Sequence, residues 1–515
     1  MNARMVSFSV AISVGLSQFL LVIPDGIAAG RPVRSIASTK PPEHGASRQE
    51  VGGTPSKHVL KVAQATPDKT DDSDPVPDTA VDEKEASPGS ADEDVSLDLG
   101  KDLLGLKKPD KQESRFHGFL MQESAYTYAD VAHWSRAAFR AQVSTNGQWS
   151  DQIRWKATIR GEVDPVYAWT DFYPDPVRHD QRADALIGET YIDTAVKGLD
   201  LRIGRQNIVW GEMVGLFFAD VVTAKDLRSF VLPAFELIRI PQWAVRGESF
   251  IGDSHLEMVW VPYTSFDNIG KPEAEFFPLR IVPTPGVVQQ VRGEEIPSRS
   301  LSHSNFGFRG STLNGGWDLS AFFYSSMDTG ATFYRDVVPG PTTTITYTPR
   351  HDRINQFGGT LGKDLGSSVL KAEAVVTTGR SFSVTRLSAP NGLVRSKTLD
   401  FAVGLDFPFE DESRLNLQFF QRAFFSHDQD MLQDRFESGG TLLYNRKINA
   451  KIEAEFLMIQ SLNRWENLLR PKVVWKVQSN LRLTAGIDVF NGPSTGAIGR
   501  FRDRDRIYVE TRYDF

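Results

Sequence analysis

The residues whose types and spacing point to chemistry lie in one dense segment, Arg202-Ile-Gly204-Arg205-Gln206-Asn207-Ile-Val-Trp210-Gly211-Glu212. Arg205, Gln206 and Glu212 stand where the apolar alternation Leu199, Leu201, Ile203 gives way to a long stretch without it. Opposite charges and an amide at a strand end, with Trp210 between them, suit a charged constriction in a pore rather than bond-breaking. They also suit a plainer task, pinning the following loop to the wall of the fold, and both readings stand at this level. Gly204 and Gly211 fit a bulge or a close backbone approach. Nothing comparable supports catalysis. The 9 His are scattered, and no zinc-protease, nucleophile-elbow or phosphate-loop motif occurs. Ser254 and His255 read as a solvated turn pair. With no Cys, thiolate catalysis, disulfides and Cys-held metals are excluded. The chain is expected to be no enzyme, with no catalytic, cofactor or metal site.

The elements that must carry these residues are strands. Ile507, Val509, Thr511, Tyr513 and Phe515 alternate with Arg506, Tyr508, Glu510, Arg512 and Asp514 at the end of the chain. One apolar and one charged face require an apolar medium on one side and water or ion pairs on the other. A final strand with Tyr513 and terminal Phe515 on its apolar face looks like the signal read by the barrel-assembly machinery. Earlier segments repeat the pattern. Ile153, Trp155, Ala157, Ile159 and Val163 alternate with Arg154, Lys156, Arg160 and Glu162, after a Thr145-Asn-Gly147 hairpin turn. Leu399, Phe401, Val403, Leu405 and Phe407 form another apolar series, and Lys371 and Glu373 sit between Leu370, Ala372 and Ala374. The segments are about ten residues long, enough to cross a bilayer at a tilt and longer than the usual globular strand. The fold expected is all-β, a transmembrane antiparallel up-and-down barrel. Roughly 400 residues at roughly 22–28 per strand and connection give about 16 strands, range about 14–18. Short turns at Asn314-Gly-Gly316, Asp364-Leu-Gly366 and Ser479-Asn480 would face the periplasm. Long connections near Trp169–Gly188, Gly211–Gln242, Tyr263–Ser302 and Met327–Arg350 would face outside or fold into the lumen. Charges of both signs along the lumen leave two states open, a wet pore or a packed, sealed interior.

The chain has 515 residues, net charge -7, 40% hydrophobic and 24% charged residues. That slightly acidic balance argues against a nucleic-acid partner. Mean hydropathy is -0.30, which a barrel with a polar bore and polar loops accommodates. Residues 1–29 read as a signal peptide, with Arg4, an apolar stretch from Met5 to Ile23 and small residues Ala28 and Ala29; an uncleaved anchor is the alternative. Residues 30–110 are rich in Pro, Ser, Asp, Glu and Lys and read as a disordered acidic linker in the periplasm. Its apolar interruption, Val95–Leu106, would dock on a partner or plug a pore mouth. Residues 111–515 would form the barrel.

The Gly204-Arg205-Gln206…Trp210-Gly211-Glu212 core, with Glu189-Thr-Tyr191-Ile-Asp193, the strand Leu256-Glu-Met-Val-Trp260-Val-Pro262 and Leu469-Arg-Pro471-Lys, resembles a family of Gram-negative outer-membrane barrels of unassigned function. This is the domain-of-unknown-function family thirteen hundred and two. The resemblance covers everything after the linker. It departs at Thr223-Ala224, where the family pattern has Asn-Pro, and in the long acidic linker. What the resemblance implies is a porin-like conduit in the cell outer membrane, surrounded by lipid and lipopolysaccharide. It further implies traffic of hydrophobic or lipid-like compounds together with an inner-membrane exporter and a periplasmic lipoprotein. The alternative is a non-conducting scaffold or surface component that recruits periplasmic partners through the linker.

Overall fold

The structure, a computed structural model, describes residues 116–213, 218–279 and 284–515. The expected signal peptide, the acidic linker and Val95–Leu106 lie outside the described residues. Eighteen strands form one sheet. In chain order these are β1 (Phe116–Thr127), β2 (His133–Ser150), β3 (Ile153–Val163), β4 (Ala183–Val196), β5 (Leu199–Gln206) and β6 (Gln242–Ile251). There follow β7 (Ser254–Tyr263), β8 (Asn305–Asn314), β9 (Trp317–Met327), β10 (Arg353–Asp364), β11 (Val369–Thr378) and β12 (Thr398–Pro408). The last third holds β13 (Arg414–Phe424), β14 (Phe436–Lys447), β15 (Ile452–Ser461), β16 (Asn467–Gln478), β17 (Leu481–Asn491) and β18 (Arg506–Asp514). Each strand pairs antiparallel with the next, and β18 pairs with β1 from Phe119↔Asp514 to Thr127↔Arg506. The sheet is therefore closed. The count is the upper end of the expected range, because β4–β7 are separate wall strands where the sequence shows only fragments of alternation.

Polarity is inverted relative to a soluble protein. On β18, Ile507 and Val509 are 49% and 50% exposed, whereas Arg506 is 3% exposed. On β7, Leu256, Met258 and Trp260 are exposed while Glu257 and Val259 are buried. Such a continuous apolar exterior is stable in hydrocarbon and not in water. Trp134, Trp243 and Tyr263 are exposed near one rim, and Phe116, Tyr513 and Phe515 near the other, as expected of interfacial aromatic girdles. Phe515 exchanges backbone hydrogen bonds of 2.8 and 2.9 Å with Gly118, so the terminal residue joins the ladder.

The two-residue turns Lys197-Gly198, Gly252-Asp253, Gly315-Gly316 and Ser479-Asn480 lie at the end where β1 begins and β18 finishes. The long connections, 164–182, 207–241, 264–304, 328–352 and 379–397, lie at the opposite end. One hairpin differs from expectation. Asn146 and Gly147 lie inside β2, paired with Lys156 and Trp155, and the chain turns only after Ser150. Gly147 is a seat for an aromatic ring: a Cβ there would lie 2.8 Å from the Trp155 indole. Inside the wall, Phe322 lies over Gly358 and Phe420 over Gly439, where a Cβ would approach the rings to 2.4 and 2.3 Å. A bare backbone on one strand gives the neighbouring ring its place.

Candidate functional site

The site is the bore, and its main occupant is the connection 207–241. Two arcs of the wall hold it. On the first, Trp210 donates from Nε1 to Glu257 of β7 at 3.0 Å, and its ring meets Phe322 and Tyr324 of β9 at 5.3 and 5.7 Å. The Glu212 carboxylate accepts from Arg309 of β8 at 2.9 Å and Thr360 of β10 at 3.0 Å. Lys371 of β11 donates to the Glu212 carbonyl at 2.9 Å. Glu373 of β11 does most to hold this end. Its Oε1 accepts the N–H groups of Glu212 and Met213, and its Oε2 those of Phe218 and Ala219, at 2.8–2.9 Å. A buried carboxylate with four backbone donors fixes the fold of the loop.

The second arc is half the ring away. The Leu232 carbonyl accepts from Arg470 of β16 at 2.8 Å. Glu236 accepts from Arg512 of β18 at 2.7 Å, and Ala234 and Leu237 pack with Phe119 and Met121 of β1. Since β9 and β18 are nine strands apart in a ring of eighteen, the loop spans the lumen from wall to wall. Phe119 is near the start of β1 and Arg512 near the end of β18, so the loop reaches into the short-turn half.

Other long connections fill the space above it. Leu227 and Phe230 of the crossing loop, Phe276 and Phe277 of 264–304, and Phe333 and Tyr347 of 328–352 share a core with the inner-wall residues Phe420, Leu443, Leu457, Leu468 and Phe490. The inner wall is thus apolar toward the long-loop end because loops pack there. The junction of three connections runs through Asp267. Its carboxylate accepts the Lys225 N–H at 2.8 Å, and its own N–H donates to the Thr329 carbonyl at 3.0 Å. Burial pushes the Asp267 carboxyl up to about 6, against the pull of Lys225. Burial likewise raises Asp220 of the crossing loop, with Arg239 and Lys225 opposing.

Below the loop core, wall charges are largely paired. Arg470–Asp488 at 2.7 Å, Asp488–Arg506 at 2.8 Å, Arg506–Glu123 at 3.4 Å and Glu123–Arg136 at 2.9 Å form a belt. It continues through Arg136–Glu162 and Glu162–Arg140, from β16 across the closing seam to β3. Lys156 pairs with Glu189 at 3.0 Å, Arg202 with Asp193 at 2.7 Å and Arg422 with Asp400.

The expected site residues therefore separate. Lys156, Glu162, Arg506 and Arg512 face inward and are ion-paired. Arg154, Arg160 and Glu510 lie on the same inward phases of β3 and β18, opposite Asp193, Leu186 and Thr484. Gln206 is fully buried, and its amide donates to the carbonyls of Arg202 and Ala244 at 3.2 and 3.1 Å. Glu212 is pinned as described. Arg205 does not join them. It shares the outward phase of β5 with Ile203, opposite Thr190 and the exposed Trp243. Period two puts it on the outer wall, so the expected Arg205–Glu212 constriction does not form. Gly204 does serve close approach: its φ is +137°, and a Cβ would lie 2.4 Å from the Thr190 carbonyl oxygen. His255 pairs with Glu248 at 3.1 Å and stacks on Phe250. The anchoring role of Glu373 was missed, since its sequence signal is one acid in an alternating strand.

No protein-family model matches the chain, so the family resemblance rests on its motif alone. No curated protein matches it either. Among solved structures the chain is similar to the Acinetobacter baumannii protein OccAB1, with 11% identity, a TM-score of 0.47, and 78% of this chain and 95% of that one covered. It is similar to Pseudomonas aeruginosa OccK8 (OprE), with 10% identity, a TM-score of 0.46, and 78% and 98% covered. A third similar structure is Salmonella typhi OmpF in complex with daunomycin, with 9% identity, a TM-score of 0.40, and 78% and 97% covered.

Proposed function

We propose that this chain is a porin-like outer-membrane channel whose bore is restricted by the connection 207–241. The observation that carries the reading is a closed, externally apolar barrel whose lumen is crossed by a loop fastened to opposite walls. An apolar exterior closed on itself needs a bilayer, and the outer membrane is where barrels of this kind are inserted. Residues 1–29 serve export and are removed, and 30–110 form a periplasmic linker. Mixed, paired wall charges favour no strong ion selectivity. The cargo is hydrophobic or lipid-like and is handed on with an inner-membrane exporter and a periplasmic lipoprotein, as the motif resemblance implies. A second reading, a non-conducting scaffold, is favoured by the apolar core that fills the long-loop end. Single-channel recordings in planar bilayers separate the two. Small discrete steps, from the full chain or from one lacking residues 31–109, support the channel. Their absence from both, with a correctly inserted barrel, leaves the scaffold.

A further inference from the structure

The wall is not uniform. Between β16 and β17 the ladder runs from Asn467↔Asn491 to Leu469↔Val489 and resumes at Lys472↔Gly486. The positions between, Arg470 opposite Asp488 and Pro471 opposite Ile487, are unpaired in that ladder. Pro471 has no N–H to give and is out of place inside a central strand. From the bore, the gap is bridged by the Arg470–Asp488 ion pair at 2.7 Å. On the membrane side, at the same level, lies a recess of about 620 Å³. Its lining includes Ala454, Phe456, Pro471, Ala485, Ile487 and Ile507. Small side chains at Ala454 and Ala485 leave the hollow, and larger ones rim it. The volume falls in the range of about 300–1,000 Å³ typical of small-ligand sites.

We propose that this recess holds one acyl chain of a membrane phospholipid, a site that rests on the bilayer reading of the wall. Three features select that occupant. The lining is mostly apolar, and its two charges, Lys472 and Glu455, are buried and paired with each other at 3.1 Å, so they offer a headgroup little. Pro471 and Ile487 lie near the middle of their strands, at a depth that hydrocarbon reaches and headgroups do not. The lining extends to Tyr444 and Ala454, close to the short turn between β14 and β15. The chain therefore enters from the short-turn leaflet, which in the outer membrane is phospholipid.

The test is native mass spectrometry of the full chain in detergent after addition of phosphatidylethanolamine. Ala485→Phe and, independently, Ala454→Phe fill the recess; Ala372→Phe enlarges an outward alanine of β11 elsewhere. Bound phospholipid falls about tenfold in the first two and is unchanged in the third. Equal retention in all folded variants overturns the site, as does a wild-type dimer that Ala485→Phe abolishes, which would make a second copy the occupant. Failure of the wild-type chain to insert into liposomes sinks the bilayer reading instead.

Discussion

Glu373→Ala is the sharpest perturbation of the crossing loop. It removes four charge-assisted hydrogen bonds to the N–H groups of Glu212, Met213, Phe218 and Ala219. Each is worth about 1.5–3 kcal/mol, so the gross loss is roughly 6–12 kcal/mol before the desolvation of a buried carboxylate is set against it. Loss of one partner of a buried charged cluster typically leaves about 3–5 kcal/mol. The remaining holds on this arc, Trp210 to Glu257 and Glu212 to Arg309, Thr360 and Lys371, keep the loop from leaving outright. Its local opening then becomes more frequent by about 10²–10⁴-fold. Glu373→Gln keeps the shape, but its NH₂ faces donors, so it behaves more like Ala than like the wild type. The assay is amide hydrogen exchange at 212, 213, 218 and 219 in the reconstituted protein, with single-channel noise as a second readout. Unchanged exchange in Glu373→Ala, or wild-type protection in Glu373→Gln, would refute the assignment of Glu373 as the anchor.

The Asp267 junction has a defined pH response. Its carboxyl, raised from 3.8 to about 6, is harder to ionise folded than unfolded. Stability therefore falls as pH rises from about 4 to about 6, by up to about 3 kcal/mol; Asp267→Asn flattens that slope in thermal unfolding. Arg506→Ala leaves Asp488 and Glu123 facing each other across the closing seam. It lowers stability by about 3–5 kcal/mol, read as a lower temperature for loss of the folded form's faster electrophoretic mobility. Arg205→Ala, on the outer wall, leaves conductance and ion selectivity unchanged in planar bilayers, whereas a lumen residue would shift them.

Period two made the barrel legible in the sequence, because a side chain's face is decided by its parity along the strand. Ile507, Val509 and Tyr513 against Arg506 and Arg512 is the plainest case, and Lys156 and Glu162 of β3, both ion-paired inside, share the parity of its other charged residues. The same rule, applied to Arg205, places it outside with Ile203, so parity is a better guide there than closeness to Glu212 in sequence. Asn146-Gly147 is a strong hairpin signal, but the Trp155 ring required bare backbone there more than the chain required a turn. The bore was not legible. Glu373 and Glu212 are 161 residues apart, and no local pattern announces that an acid on one strand will collect the N–H groups of a distant loop. Nor does composition distinguish Phe230 and Phe276 as lumen core from the many Phe residues that face lipid.

Lipid outside the wall and a loop-filled bore within it are the central claim, and a nitroxide scan tests it most directly. The chain has no Cys, so single cysteines along β12 from Leu399 to Phe407 can be labelled one at a time in proteoliposomes. Labels at 399, 401, 403, 405 and 407 should collide freely with oxygen dissolved in the bilayer, while those at 400, 402, 404 and 406 should be shielded from it. A period of two with that phase is the expected result. Accessibility without alternation, or with the opposite phase, would contradict the account.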